Sequence, residues 1–451
     1  MLSRVIARAL ARVGLVTPEQ RAWAWYDWAN STYFTTVVTA VFPAFYATYA
    51  SAGLEPAQAT ARFGAITTAS VALIAIVSPI LGAVADISGI KKKLLFGFML
   101  VGVASTVAMV FIERGGWMFA SVLFVIGNIG VSGTTVFYDS LLPHVAKPEE
   151  ADRVSSAGYA LGYLGGGVLL LLNLAWILQP QTFGFADAAA ATKASFFSVA
   201  VWWFVFSIPL MRVVPEPPVV LDESERAGGS VLLAAFGRLG RTFREIRQYR
   251  QAFLLFAAML LYQDGIQTII RMASVYGAEI GIDQNAQIAA FVMVQFLGIP
   301  FAFLFGSLGA RIGTKRALFI ALAVYTLTSI LGFFLTTVVH FFILAGLVAT
   351  VQGGAQALSR AMFSRLIPVR KASEFFGFYA VAERFATVLG PLVFTISVAI
   401  TGSSRFAVLF IIVFFAAGAL LLSLVDEQEG ERAARSDDDG RVSRPAPTAS
   451  R

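Results

Sequence analysis

Seven ionisable side chains lie inside stretches that are otherwise apolar: Asp27, Asp139, Asp264 and Glu383 among the acids, Arg271, Arg360 and Arg384 among the bases. At mid-bilayer each would cost about 2.5 to 3.5 kcal/mol on insertion scales, so such a group faces a partner or a wet cavity. Their polar neighbours recur at helical spacing. Asn128, Ser132, Thr135 and Asp139 fall at i, i+4, i+7 and i+11; Asp264, Gln267 and Arg271 at i, i+3 and i+7, with Gln263 at the edge. Gln352, Gln356 and Arg360 follow at successive i+4 steps, and Asp27 and Asn30 stand beside Tyr26 and Tyr33. Each set is a stripe down one helix face. The chemistry on offer is recognition and proton handling. A guanidinium above two amides, as at Arg360, suits bidentate capture of a carboxylate or phosphate. Four acids against three bases leave one carboxylate over, and a desolvated carboxylate is a proton carrier; Asp264 and Glu383 are the first candidates. Glu383 and Arg384 are adjacent, hence about 100° apart on a helix, and reach different partners.

Each site residue has a plainer alternative. Asp27 sits near the end of its span and could simply cap there. Asp139 lies one turn before Pro143, which suits a gate contact as well as substrate binding. Asp264 with Arg271 could be a structural pair, and Arg360 could be helix-packing glue.

The elements that carry these stripes follow from composition. Of 451 residues, 57% are hydrophobic and 14% charged, and mean hydropathy is +0.75, against about 45 to 50% apolar and about 25% charged in soluble chains. This is a membrane protein. With no cysteine and only His144 and His340, thiol and zinc chemistry fall away, and no cofactor is expected. No G-x-x-x-x-G-K-S/T loop is present, so ATP-driven pumping is disfavoured and an enzyme is not expected. The net charge of +7 gathers on no soluble domain, so no nucleic-acid partner is expected.

A membrane-crossing helix needs around 20 apolar residues. Twelve segments qualify, at 23–49, 64–86, 93–112, 116–140, 155–178, 195–211, 252–276, 286–310, 316–338, 340–365, 374–401 and 404–425. Alternate loops and the two ends hold 27 of the 34 basic residues, whereas the opposite loops hold Arg62, Arg114, Lys193 and Arg405. The positive-inside rule then puts both termini in the cytoplasm, as expected of a bacterial inner-membrane protein. No cleavable signal peptide is apparent. Residues 1–14, with Arg4, Arg8 and Arg12 among apolar residues, read as an interfacial helix. Thr17, Pro18 and Gln20 read as cap, first turn and capping-box partner of the first span.

The organisation is a six-span half at 1–211, a linker at 212–251, a second half at 252–425 and a disordered tail at 426–451. Pro215, Pro217 and Pro218 open a flexible linker. Leu232, Phe236, Leu239, Phe243 and Ile246 then oppose five arginines, as in a basic amphipathic helix that binds anionic inner-leaflet lipids; a protein partner is the lesser alternative.

The halves repeat. Gly82-Ala-Val-Ala-Asp86-Ile-Ser-Gly89-Ile-Lys91-Lys92 is answered 224 residues later by Gly306-Ser-Leu-Gly-Ala310-Arg-Ile-Gly313-Thr-Lys315-Arg316, and Tyr138-Asp139-Ser140-Leu141-Leu142-Pro143 is answered at 225 by Phe363-Ser364-Arg365-Leu366-Ile367-Pro368. Duplication of a six-helix unit explains the constant offset. Gly162, Gly165, Gly166 and Gly167, and Gly390-Pro391, allow close packing or bending at matching places.

Two six-helix halves, a long basic loop between them, and G-x-x-x-D-x-x-G-x-K-K after the second span resemble the major facilitator superfamily. The resemblance implies an all-α fold of twelve transmembrane helices in two pseudo-symmetric halves. It also implies that helices 1, 4, 7 and 10, the striped ones, line a central cavity, and that Gly82, Asp86, Gly89, Lys91 and Lys92 latch the cytoplasmic gate. Ala310 replaces the acid in the second copy, so a latch there is weaker. Trp25-Tyr26-Asp27-Trp28-Ala29-Asn30-Ser31, Asp264-Gly265-Ile266-Gln267-Thr268 and Gln352-Gly353-Gly354-Ala355-Gln356-Ala357-Leu358-Ser359-Arg360 are similar to the branch of autophagy-related vacuolar amino-acid effluxers and their bacterial relatives, which implies amino-acid movement.

The expected function is secondary transport of a small zwitterion by alternating access about a midplane site, coupled to protons and carried out by a monomer. Arg271 or Arg360 would take the carboxylate, and Asp264 or Glu383 the amine. The alternatives are a proton-coupled exporter of amphipathic compounds, a non-transporting sensor, or a lipid scramblase. A sensor would need a signalling domain, and a scramblase a polar groove facing lipid.

Overall fold

The computed structural model describes residues 10–11, 13–219, 236, 249–385, 393, 396, 397, 400 and 404–442. The expected interfacial helix at 1–14 and the basic helix of the linker lie almost wholly outside them, as does Gly390-Pro391. The described chain is all helical. Helix α1 (Pro18–Thr32) starts where expected, with Thr17 accepting from Gln20 N and the Gln20 side chain returning to the Thr17 backbone N–H. It continues through two π-helical stretches, Tyr33–Val41 and Tyr46–Ala50. The first half follows with α2 (Pro56–Ser88), α3 (Lys91–Ala108), α4 (Trp117–Ser140), α5 (Ala151–Leu178) and α6 (Ala188–Val213). The second half contains α7 (Arg250–Glu279), α8 (Gln284–Ile312), α9 (Thr314–Phe333), α10 (Val338–Arg365), α11 (Ala372–Phe385) and α12 (Ser404–Ser423).

Among the described residues nine helices are long and apolar enough to cross a membrane. The other three are α1, diluted by its polar first turns, α2, several of whose side chains before Val77 lie outside the described residues, and α11, described only to Phe385. Leucines, valines and phenylalanines such as Phe111, Val201, Leu304 and Val413 cover the outside. That is the face hydrocarbon would meet.

The tail differs from its expected disorder. Residues Glu427–Val442 form a helix, α13, because its acids find fixed partners. Tyr249 Oη donates to Asp437 at 2.9 Å, Arg370 pairs with the same carboxylate at 2.5 Å, and Asp438 accepts from Val369 N at 2.9 Å. Burial raises the carboxyls of Glu427 and Asp438 above their ordinary range.

The halves meet through α2 with α11, α5 with α8, and α5 with α10. Backbones approach closely at two of these crossings. A Cβ on Gly82 would collide with the Ser373 carbonyl at the head of α11, and one on Gly306 would meet Ser156 on α5. These glycines are one repeat apart, so the same device serves both crossings.

Candidate functional site

A cavity with an empty volume of about 1190 Å³ lies between the halves. Asp27, Asn30 and Thr35 from α1 and its continuation, Thr135 and Asp139 from α4, Gln267 from α7, and Gln352, Gln356 and Arg360 from α10 face it. Gln295 of α8 and Tyr159 and Tyr163 of α5 complete the polar wall; sequence reading passed over these three. Asp264 is fully buried and does not line the cavity. Its neighbour Gly265 packs against Phe415 of α12, which turns this part of α7 away. The side chains of Arg271, Glu383 and Arg384 fall outside the described residues.

Arg360 closes one end of the cavity. Its Nη1 donates to Asp139 Oδ1 at 2.9 Å and its Nη2 to Asp27 Oδ2 at 3.3 Å; Nε donates to Ser155 Oγ at 2.9 Å and Nη2 to Ser155 O at 3.0 Å. Three side chains that the sequence flagged on three separate helices thus form one cluster. The cluster is dry, with side-chain exposures of 3% for Arg360, 12% for Asp27 and 6% for Asp139. The guanidinium lies 4.4 Å from the Tyr159 ring and 4.8 Å from that of Trp23, where desolvated cation–π attraction is worth about 2 kcal/mol.

Tyr138 Oη donates to Asp27 Oδ2 at 2.7 Å, and Trp23 stacks on Tyr138 with centroids 4.5 Å apart. Gly158 makes room, since a Cβ there would overlap Asp27 and Arg360. The Trp23, Tyr138, Ser155 and Tyr159 support was missed because aromatic and small residues at helical spacing read as ordinary core. Two carboxylates on one guanidinium leave a formal charge of −1, so parting the cluster sets free more acid than base.

Further contacts join the halves beyond Arg360. Asp86, at the end of α2, accepts from the backbone N–H groups of Ser373 (3.2 Å) and Glu374 (2.9 Å) at the start of α11, where the helix dipole favours an anion. Lys91 holds the same carboxylate at 3.2 Å and lies 3.3 Å from His144 Nε2. Ser373 Oγ also meets Ser140 Oγ at 2.9 Å. Gly89 ends α2 in the left-handed region at φ 63°, which glycine enters without steric penalty. Lys92 stays within its own half, donating to Met211 O at 3.0 Å and to Val214 O.

The second copy does the equivalent with other residues. Lys315 donates to Ser423 O at 2.8 Å and Val425 O at 2.7 Å below α12, so it matches Lys92 in place although the 224-residue offset pairs it with Lys91. The acid missing at Ala310 is replaced from the first half. Asp152 of α5 accepts from Thr314 Oγ1 and pairs with Arg365, both at 2.7 Å. Arg365 also reaches Glu427 at 3.5 Å and Glu431 at 3.3 Å on α13. Asp152 escaped notice because it follows Glu149 and Glu150 in what reads as a charged loop.

This architecture has known counterparts. The structure of the proton:xylose symporter XylE bound to 6-bromo-6-deoxy-D-glucose matches with TM-score 0.68 over 92% of this chain and 97% of that one, at 14% identity; FucP in the outward conformation matches at 0.65 over 92% and 99%, also at 14%. The uncharacterized MFS-type transporter YxiO of Bacillus subtilis is 38% identical over 415 residues, 91% of this chain and 96% of the relative. Autophagy-related protein 22-1 of Aspergillus niger is 26% identical over 303 residues, and the match spans 48% of its length; autophagy-related protein 22 of Saccharomyces cerevisiae is 22% identical over 397 residues, spanning 73%. The family described as "Vacuole effluxer Atg22 like" matches residues 17–435. The chain therefore belongs to the Atg22-like family of major facilitator transporters.

Proposed function

We propose that the chain carries a small zwitterionic solute, an amino acid in the first instance, across the bacterial inner membrane by alternating access, with both termini cytoplasmic. The observation that carries this reading is Arg360, which crosses from the second half to Asp27 and Asp139 of the first at the floor of a polar cavity. On this reading the cluster, the Asp86 contact and the Asp152 contact are the cytoplasmic gate, here shut, and the cavity is the outward-facing site. A substrate carboxylate competes with Asp27 or Asp139 for the guanidinium, and the displaced aspartate is then available to the substrate ammonium. Binding and gate opening become one event. Because two carboxylates share one guanidinium, the opened cluster retains an acid in need of a countercharge, and a proton supplies it. Asn30, Gln267, Gln352 and Gln356 orient the solute. The unit is a monomer in contact with anionic inner-leaflet lipids.

Purified protein in liposomes, given a panel of labelled amino acids with and without a pH gradient, tests this. Accumulation driven by the gradient and lost in Asp27→Asn and Arg360→Lys is expected. Uptake unchanged in both variants overturns the assignment, and uptake indifferent to the gradient removes the proton.

A further inference from the structure

The polar cavity has an apolar annex. A second chamber lies within the second half between α7, α8, α9, α10 and α12, and it shares Ile270, Phe291, Gln295 and Gln352 with the first. One face of α10 runs through both. Arg360, Gln356 and Gln352 are followed at the same helical register by Val348, Ala345 and Phe341, so a single stripe passes from charge to amide to hydrocarbon.

No charged side chain lines the annex among the described residues. Its inner polar groups are already engaged: Thr328 and Ser329 donate to carbonyls one turn back, Tyr276 Oη to Gly332 O, and Gln287 to Ile282 O. What remains is a hydrocarbon-lined space that meets the polar cavity at Ile270, Phe291, Gln295 and Gln352. Along α10 the annex runs from Gln352 to Phe341, about 16 Å at the rise of an α-helix, and Gln352 itself stands about 12 Å beyond Arg360.

We propose that this annex is a subsite for a long apolar tail. Resting on the zwitterion reading above, it names the substrate class as amphipathic zwitterions whose apolar chain is long enough to pass Gln352. A solute with its carboxylate on Arg360 and a short side chain never reaches the annex, so ordinary small side chains are not distinguished there. A chain that does reach it leaves water one methylene at a time.

The test uses the full chain in nanodiscs and titration calorimetry with a linear series: alanine, 2-aminooctanoate, 2-aminododecanoate, 2-aminohexadecanoate and 2-aminoicosanoate, with hexadecanoate as the arm lacking an amine. Affinity is expected to be flat for the short members and then to rise about two- to fourfold per methylene. Val348→Phe, which fills the annex one turn beyond Gln352, should abolish the rise while leaving alanine unaffected. Ala345→Phe, which fills the annex one turn further on, should cut the rise short at the longest chain, and it guards against misfolding of the first variant. A flat series with alanine still bound overturns the annex and spares the zwitterion reading. A rise shared equally by hexadecanoate spares the annex and overturns the zwitterion. A rise unaltered in both variants, or no binding by any member, overturns the proposal.

Discussion

On the proposed reading, replacing Arg360 by alanine should open the gate between the halves. The guanidinium serves two buried carboxylates and both oxygens of Ser155. Removing one partner of a buried pair costs about 3 to 5 kcal/mol because a charge is left without compensation. That cost falls on the shut state, where Asp27 and Asp139 are dry, and is relieved when water enters. At about 1.4 kcal/mol per tenfold, the equilibrium should move toward the open gate by a factor of about 10² to 10³·⁵. The chain contains no cysteine, so a single Ser140→Cys reports the gate directly. Ser140 is fully buried against Ser373 when the halves are joined, and its maleimide labelling rate measures the open fraction. The triple variant Asp27→Asn, Asp139→Asn, Arg360→Ala should label slowly again, since it removes the uncompensated charge along with the arginine. Labelling of Arg360→Ala within twofold of the parent, in protein that remains monodisperse, would refute the argument; so would a triple variant as open as the single one.

Three other perturbations probe the joint. Gly82→Val should block the approach of α2 to Ser373 and Glu374 and raise Ser140→Cys labelling, since overpacking costs about 1 to 3 kcal/mol; transport should fall with it. Asp86→Asn keeps the shape but weakens two charge-assisted hydrogen bonds to the head of α11, for about a tenfold rise in labelling at about 1.5 kcal/mol. The tail helix should dock in a pH-dependent way. Glu427 and Asp438 have raised carboxyls in the docked state, so the stability their protonation adds is fully present below the ordinary carboxylate range and is lost as pH rises through the raised values. Anisotropy of a dye on Ser436→Cys should accordingly be higher at pH 5 than at pH 8, and equal values would contradict it.

Much of this was legible in the chain. The capping box fixed the start of α1, the apolar runs marked the spans, and the 224-residue repeat gave the two halves, because each of these is set by local chemistry. The stripes found Asp27, Asp139 and Arg360 but could not pair them: a helical period says which residues share a face, and not which face meets which. Asp264 shows the limit, since it shares a stripe with Gln267 yet lies off the cavity while Gln267 lines it. Asp152 and the acids of α13 were hidden for a different reason. A carboxylate in a charged segment gains meaning only from the arginine it meets, and Arg365 is 213 residues from Asp152.

Those separations bear on synthesis. Asp139 waits 221 residues for Arg360, about 10 to 45 seconds at the usual 5 to 20 residues per second. Throughout that interval the first half sits in the membrane holding two aspartates and no base to answer them. Nascent chains must therefore carry protons or water at Asp27 and Asp139 until α10 arrives, and the first half made on its own would never shed them. Arrival of a single side chain then gives that acidic half-bundle its base, before α11 and α12 complete the second half.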